Sequence, residues 1–156
     1  MNHQITCTVN DQSYQVSVAS QQTLLQMLRE QLELTGAKTG CATGECGACS
    51  VLLNDEVVNA CLVLAVEVDQ ASIVTVEGLA ENGELSTLQQ SFLDHSASQC
   101  GFCTSGMLIA ACALLKQASR PEASAIRAGL GGNLCRCTGY EDIVKAIMAA
   151  SRARRT

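Results

Sequence analysis

Four cysteines in the first half of the chain stand at spacings that suit one kind of metal site. Four residues separate the first two, two residues separate the next two, and the fourth follows twelve positions later. This C-x4-C-x2-C spacing with a more distant fourth thiol is that of plant-type [2Fe–2S] ligands. The sequence therefore predicts an iron–sulfur site formed by Cys41, Cys46, Cys49 and Cys61.

The loop that carries these cysteines is rich in glycine. A cluster held by four thiolates is negatively charged, and backbone N–H groups turned toward the sulfurs stabilise that charge. Glycine adopts positive φ without strain, so it lets a loop curl tightly enough to aim those groups. We expect this role for Gly36, Gly40, Gly44 and Gly47.

Two other uses of these cysteines are less favoured. Structural zinc sites more often show paired C-x2-C units, and an intracellular chain would not keep disulfides. The N-terminus, Met1 to Gln4, has neither a charged segment followed by an apolar one nor a twin arginine, and no apolar run is long enough to cross a bilayer. We therefore expect a cytoplasmic protein whose cysteines are mostly ligands.

A second set of cysteines lies in the C-terminal half. Cys100 and Cys103 are two residues apart, and Cys135-x-Cys137 follows after thirty-one intervening residues. Each pair lies just before a predicted helix, whose N-terminus presents free N–H groups and the positive end of its dipole. Spacing alone leaves iron and zinc both open for this second set.

Composition restricts the remaining possibilities. The chain has 156 residues, a net charge of −5 and 3% aromatic residues. An acidic chain without a basic patch is a poor partner for nucleic acid, and a small core with few aromatic residues benefits from a metal staple. The two remaining cysteines, Cys7 and Cys112, fall on apolar faces and are expected in the core.

The N-terminal half alternates in the manner of strands around one helix. A hairpin is predicted over residues 4–18 and a second around Asn54-Asp55, with a last strand over 72–77. A helix of about ten residues is predicted after the cap Thr23, ending before Gly36. Strands closing over one helix define an α+β arrangement of the β-grasp kind.

The C-terminal half has helical periodicity throughout. Helices are predicted over 86–96 and 104–117, from Pro121 as a first helical position, and over 141–150. Their expected apolar faces comprise Leu88, Phe92 and Leu93 in the first and Met107, Leu108, Ala111, Cys112 and Leu115 in the second. The polar linker over 79–85 places a domain boundary after residue 78.

Three sequence stretches resemble one known family. They are Gly40–Cys49, Gln99–Met107 and Gly131–Tyr140, supported by Leu24–Glu30. Together they closely resemble the iron–sulfur subunit of the molybdenum hydroxylases, the xanthine dehydrogenase and aldehyde oxidase family. The resemblance implies a plant-type ferredoxin domain of β-grasp fold over 1–78 and an all-α four-helix [2Fe–2S] domain over 79–156.

The resemblance also implies partners and roles. Cys41, Cys46, Cys49 and Cys61 would hold a cluster facing an FAD-binding medium subunit, and Cys100, Cys103, Cys135 and Cys137 one facing the molybdopterin of a large subunit. Gln99 matches the glutamine that touches the pterin. Electrons would pass from the molybdenum site through both clusters to flavin or another acceptor within a heterotrimer, or a dimer of heterotrimers. The substrate expected is a purine or other N-heterocycle, or an aldehyde.

One position departs from the family pattern, which usually has proline where this chain has Ser105. The change touches no expected ligand. No Gly-x-Gly-x-x-Gly motif for a flavin or nicotinamide is present, so we expect no catalytic residue on this chain. A free-standing two-cluster ferredoxin and a zinc-stapled interaction domain are the alternatives. Iron and sulfide analysis and co-purification with large subunits discriminate them.

Overall fold

The computed structural model describes residues 1–80 and 82–153. Within the first of these ranges, five strands form one mixed sheet in the order β2-β1-β5-β3-β4. Strands β1 and β5 are parallel, and the other neighbours are antiparallel. The strands are β1 (Asn2–Val9), β2 (Gln12–Ala19), β3 (Ser50–Leu53), β4 (Glu56–Asn59) and β5 (Ser72–Val74).

Both predicted hairpins are confirmed, and both turn in the same way. Asn10 and Asp11 connect β1 to β2 with φ of 49° and 64°, and Asn54 and Asp55 connect β3 to β4 with φ of 49° and 70°. Positive φ at both central residues matches the right-handed twist of the strands, and Asn and Asp tolerate it.

The predicted last strand is wrong in length, since β5 ends at Val74 instead of residue 77. The side chain of Asn10 explains why. Its Oδ1 accepts the backbone N–H of Thr75 at 2.9 Å and its Nδ2 donates to the Thr75 hydroxyl at 2.9 Å. These bonds replace a ladder partner, and the chain continues as a 3₁₀ turn over Val76–Leu79.

One short helix packs against the sheet. It comprises α1 (Leu24–Gln26) and a π-helical continuation over Met27–Gln31, so it is slightly shorter than the ten residues predicted. Thr23 caps it as expected, because its hydroxyl accepts the N–H of Gln26 at 3.2 Å. The core between helix and sheet includes Cys7, which is buried as predicted.

Four helices form the C-terminal half, as predicted: α2 (Thr87–Asp94), α3 (Thr104–Gln117), α4 (Ala123–Gly129) and α5 (Glu141–Ala153). Two details are wrong. Pro121 lies before the helix instead of inside it, since Glu122 is the N-cap of α4. Leu93 is 59% exposed, because the face of α2 that meets α5 carries Leu88 and Phe92.

Helix α3 is the central helix of this half and the element that joins it to the sheet. Every residue from Ser105 to Ala111 is buried. Ile109 and Ala113 pack against Leu52 of β3 in a small apolar cluster between the two halves. Cys112 is only partly buried, because it borders a cavity of about 280 Å³ at this junction. Two sides of α3 are thus covered, one by helices and one by the sheet.

None of the helices in the described ranges has the length and apolar character needed to span a bilayer.

Candidate iron–sulfur sites

The N-terminal cysteine set lies in the loop between α1 and β3, completed by a residue after β4. Cys49 is buried immediately before β3, while Cys41, Cys46 and Cys61 are partly exposed. The backbone N–H of Lys38 and the carbonyl of Ala48 bond across the base of this loop at 2.9 Å. The loop therefore projects the thiols of Cys41 and Cys46 toward the surface from a closed base, and Cys61 joins them from beyond β4.

Cys41 is the thiol most prepared to be a thiolate. The N–H groups of Thr43 and Cys46 each donate to its sulfur at 3.4 Å. Hydrogen bonds from Thr43 and then from Cys46 lower the pKa of the Cys41 thiol to about 5. Donors that favour the charged form have this effect, so Cys41 is deprotonated near neutral pH.

Cys49 is in the opposite situation. Burial raises the pKa of its thiol to about 11, and the neighbouring thiols of Cys61 and Cys46 also act on it. Its S–H faces the Oδ1 of Asn59 at 3.9 Å, and the Nδ2 of Asn59 donates to the carbonyl of Gly44 at 2.7 Å. Asn59 thus ties the loop to β4. The four predicted ligands are brought together around one loop.

The glycines of this loop serve two purposes, of which only one was predicted. Gly44 and Gly47 have φ of +82° and +66°, as expected for residues that let the loop curl. Gly36 and Gly40 do not share that conformation, and a Cβ at either would collide with a neighbouring side chain, that of Val76 or Cys46. They are required for close approach instead.

The helical set comes from two loops, one before α3 and one before α5. The Cys100 and Cys137 sulfurs lie 3.6 Å apart and are exposed. The thiols of Cys103 and Cys135 are close enough for each to affect the pKa of the other, and both are partly buried. The four thiols therefore form two adjacent pairs, each with one member from each loop.

In the partly buried pair, Cys103 and Cys135, the pKa of one thiol is raised and that of the other is lowered. Burial, followed by the effects of Cys135 and Cys100, raises the pKa of the Cys103 thiol to about 12. Burial acts in the same direction on Cys135, but hydrogen bonds from the hydroxyl and N–H of Thr138 contribute to a net lowering of its pKa. Those contacts measure 3.1 and 3.5 Å.

Three side chains beside the helical set are exposed. Gln99, the predicted pterin contact, is exposed immediately before Cys100. Phe102 is 47% and Leu134 56% exposed, so two large apolar side chains reach the surface here. The surface around Cys100 and Cys137 is therefore a mixed apolar and polar patch.

The sequence did not predict the roles of two supporting side chains, Arg29 and Tyr140, although both lie in the stretches that carry the family resemblance. The Nη1 of Arg29 donates to the carbonyls of Thr35 and Ala37 at 2.7 Å each and so holds the chain entering the first loop. The hydroxyl of Tyr140 accepts the N–H of Cys135 at 2.9 Å and donates to the carbonyl of Asn133 at 3.0 Å. Each fixes the backbone beside one cysteine set.

The thiol arrangement fits a binuclear cluster. In such a cluster two irons are held by four thiolates, two on each iron, and the helical set presents its thiols as two pairs. The residues present therefore fit a [2Fe–2S] cluster.

Comparisons with known proteins agree with this chemistry. Residues 7–86 match the profile of the 2Fe-2S iron-sulfur cluster binding domain, and residues 75–148 match that of the [2Fe-2S] binding domain. The chain is 42% identical to the xanthine dehydrogenase iron-sulfur-binding subunit of Escherichia coli, over 99% of this chain and 100% of that protein. It is 44% identical to the nicotinate dehydrogenase small FeS subunit of Eubacterium barkeri, over 94% of this chain and 93% of that one.

Solved structures share the whole fold. Quinoline 2-oxidoreductase from Pseudomonas putida 86 superposes with a TM-score of 0.95 at 43% identity, covering 97% of this chain and 95% of that one. The aldehyde oxidoreductase of Desulfovibrio desulfuricans gives 0.93 at 39% identity, covering 98% of this chain but 18% of that one. The fold and sites thus define a two-cluster [2Fe–2S] protein with a β-grasp and a helical part.

The chain belongs to the family of iron–sulfur subunits of the xanthine dehydrogenases and aldehyde oxidoreductases. It is an electron-transfer component of an oxidoreductase of the molybdenum hydroxylase type, and it carries two [2Fe–2S] clusters.

Proposed function

We propose that each cysteine set holds one [2Fe–2S] cluster, the N-terminal set through Cys41, Cys46, Cys49 and Cys61 and the helical set through Cys100, Cys103, Cys135 and Cys137. The observation that carries the assignment is the grouping of thiols, above all the 3.6 Å between the Cys100 and Cys137 sulfurs. A bound cluster supplies one-electron redox chemistry. The chain itself supplies thiolates, N–H donors and partial exclusion of water.

We also propose the boundary between the two domains, 1–78 and 79–156. The two family profiles overlap only over residues 75–86, a stretch that contains the 3₁₀ turn Val76–Leu79. The expected cytoplasmic location is likewise a proposal, which rests on the interpretation of the cysteines as metal ligands.

The partners follow from the nature of the relatives. Several are named as subunits, and the part matching this chain makes up 18% of the aldehyde oxidoreductase chain of Desulfovibrio desulfuricans. Most of that enzyme therefore lies outside the matching part. We propose a molybdopterin-binding large subunit and an FAD-binding medium subunit as partners of this chain, in a heterotrimer.

The exposed patch beside the helical set is the proposed contact with the large subunit. It combines the exposed apolar side chains of Phe102 and Leu134 with the exposed amide of Gln99, and we propose that this amide donates a hydrogen bond across the contact. An electron arriving at this set must cross that surface, so the patch is expected to be covered in the assembled enzyme.

A second exposed patch, beside the N-terminal set, is the proposed contact with the flavin subunit. Leu62 follows Cys61 and is 59% exposed, and Leu64 is 37% exposed. Electrons entering at the helical set and leaving at the N-terminal set would make these two patches the entry and exit sides of the chain.

For the substrate, a purine or other N-heteroaromatic compound is proposed ahead of an aldehyde. Relatives are named for xanthine, nicotinate, nicotine and caffeine, and one similar structure is of a quinoline oxidoreductase, while others are named for aldehydes. An activity screen of the purified complex against both classes tests this choice.

The assembly is tested with two matched leucine variants in the co-expressed complex. Leu134→Glu is expected to prevent co-purification with the large subunit and leave the flavin subunit bound, because a charge buried in an apolar contact is costly. Leu62→Glu is expected to do the reverse. Both variants of this chain should keep their two clusters. If Leu134→Glu co-purified with the large subunit as the unaltered chain does, the docking proposal would fail.

Gln99→Ala tests the finer role at the same contact. It removes one polar group, so assembly is expected to persist while reduction of the helical cluster by substrate becomes slower. A hydrogen bond of this kind contributes about 0.5–1.5 kcal/mol. Rapid-freeze paramagnetic resonance of the complex measures the rate, and an unchanged rate would exclude the proposed contact.

A further inference from the structure

Three short segments meet between the two cysteine sets, and all three are next to predicted ligands. Gly47 lies between Cys46 and Cys49, Gly106 lies in the first turn of α3, and Asn133 lies two residues before Cys135. A Cβ on Gly47 would collide with the carbonyl of Gly132, and one on Gly106 with the carbonyl of Gly47. Backbone packs directly against backbone here.

Asn133 is the side chain that fastens this junction. It is 5% exposed, and its Nδ2 donates to the carbonyl of Gly47 at 3.0 Å and to the hydroxyl of Ser50 at 3.1 Å. Ser50 in turn donates to the same carbonyl at 2.8 Å. A buried amide bonded in this way holds one loop against the other with little freedom.

The bond that Asn133 aligns is one between the two ligand loops themselves. The N–H of Leu134 donates to the carbonyl of Cys46 at 2.9 Å. Leu134 is the residue before Cys135, so one hydrogen bond and a few covalent bonds connect a cysteine of the N-terminal set to a cysteine of the helical set. Tyr140 holds the other side of this segment through the carbonyl of Asn133 at 3.0 Å.

We propose that Asn133 is a positioning residue for electron transfer between the two sets: its amide fixes the helical ligand loop against the N-terminal one and keeps the Leu134–Cys46 hydrogen bond closed. This inference rests on the proposed ligand assignment. One electron passing between the sets oxidises the group at one and reduces the group at the other, and no proton or further reactant is required of this junction.

The test compares the full chain, with its clusters, as the unaltered protein and as Asn133→Ala. When both clusters are reduced, their paramagnetic resonance signals split one another. The size of this splitting depends on the distance between the clusters and on the bonds that connect them. Asn133→Ala is expected to keep both clusters and both individual signals but to lose part of that splitting. Hydrogen exchange at the Leu134 amide is expected to become about tenfold faster or more, because a fixed hydrogen bond is released.

If Asn133 only stabilised the fold, its replacement would give a different result. Ser91→Ala is the matched control, because the Ser91 hydroxyl donates to the carbonyl of Ala146 at 2.7 Å in the helical core, away from the junction. It is expected to lower the melting temperature without changing the splitting or the Leu134 exchange. If Asn133→Ala behaved like Ser91→Ala, the positioning role would be overturned.

A second variant covers the case in which Asn133→Ala does not fold. Ser50→Ala removes one of the two acceptors of the Asn133 amide and is expected to change splitting and exchange in the same direction, by less. A folded Ser50→Ala chain with unaltered values in both would also overturn the proposal. Hydrogen exchange does not depend on iron. It therefore tests the role of Asn133 at the junction even if iron analysis contradicts the ligand assignment.

Discussion

The two cysteine sets solve the same chemical problem with different parts of the fold. The N-terminal set is almost entirely one loop, and only Cys61 comes from beyond the next hairpin. The helical set joins two loops that are thirty-one residues apart in sequence, each supplying one member of each thiol pair. The first site therefore depends mainly on local backbone geometry, whereas the second depends on how the tertiary fold brings the loops before α3 and α5 together.

Their electrostatics are nonetheless parallel. Each set combines one thiol whose pKa is lowered by nearby donors, Cys41 or Cys135, with one whose pKa is raised by burial, Cys49 or Cys103. Iron binding removes the proton from every ligand thiol, so the buried thiols release theirs only on binding. The same combination of one thiol with a lowered pKa and one with a raised pKa therefore arises from unrelated backbone elements.

The largest expected effect comes from removing the buried thiol of either set. Cys49→Ser is expected to lose the N-terminal cluster and Cys103→Ser the helical one, so iron falls from about four to about two per chain in each case. Iron and sulfide analysis with paramagnetic resonance measures which signal persists. Loss of both signals in either variant would contradict the independence of the two sites.

A second pair of changes weakens the supports instead of the ligands. Arg29→Ala removes two charged hydrogen bonds from the segment entering the first loop, each contributing about 1.5–3 kcal/mol. The N-terminal cluster is expected to be released first to an iron chelator. Tyr140→Phe removes two neutral hydrogen bonds beside Cys135 and should release the helical cluster first. The same order of release in both variants would show that the supports are shared.

A substitution of Ser105, in the helical half, is expected to stabilise the chain. The Ser105 hydroxyl is buried and, within the described ranges, has no hydrogen-bond partner. Such a group costs about 1–3 kcal/mol, so Ser105→Ala is expected to raise the melting temperature with both clusters retained. Ser91→Ala, which removes a bonded hydroxyl, should lower it. A lower melting temperature for Ser105→Ala would mean that the hydroxyl is bonded in solution.

The smallest effect concerns Cys7, a thiol outside both sets. Cys7→Ala is expected to keep both clusters at a cost on the order of 1–3 kcal/mol, typical of a core change. Burial, and then the charge of Asp69, raise the pKa of Cys7 above its ordinary value of 9.0. The neutral thiol therefore stabilises the fold below pH 9.0, and this contribution is lost as the pH rises further.

Denaturant unfolding of the two chains between pH 7 and 11 measures this loss. The stability difference between the unaltered chain and Cys7→Ala should become smaller above pH 9.0. A difference that grew with pH would mean that Cys7 is a thiolate in the folded chain. Loss of a cluster in a folded Cys7→Ala chain would show that the division of the ten cysteines is wrong.

Local patterns in the sequence were sufficient for most elements. Both hairpins, the cap at Thr23, the bounds of α3 and the four-helix half follow from periodicity and turn residues. Two of the errors arose where a distant side chain intervened. Asn10 ends β5 early, and the packing of α2 on α5 leaves Leu93 outside.

By itself the sequence determined the metal centre of the first loop, because the cysteine spacing there is that of plant-type [2Fe–2S] ligands. For the second set the spacing left iron and zinc open, and the resemblance to a known family indicated iron. Tertiary structure alone decided how the thiols pair across loops, which thiol of each set is buried, and that Asn133 and Leu134 connect the helical loop to Cys46. The physical reason is that burial and cross-loop hydrogen bonds arise between residues up to 88 positions apart, as with Leu134 and Cys46, and such proximity has no local signature in the chain.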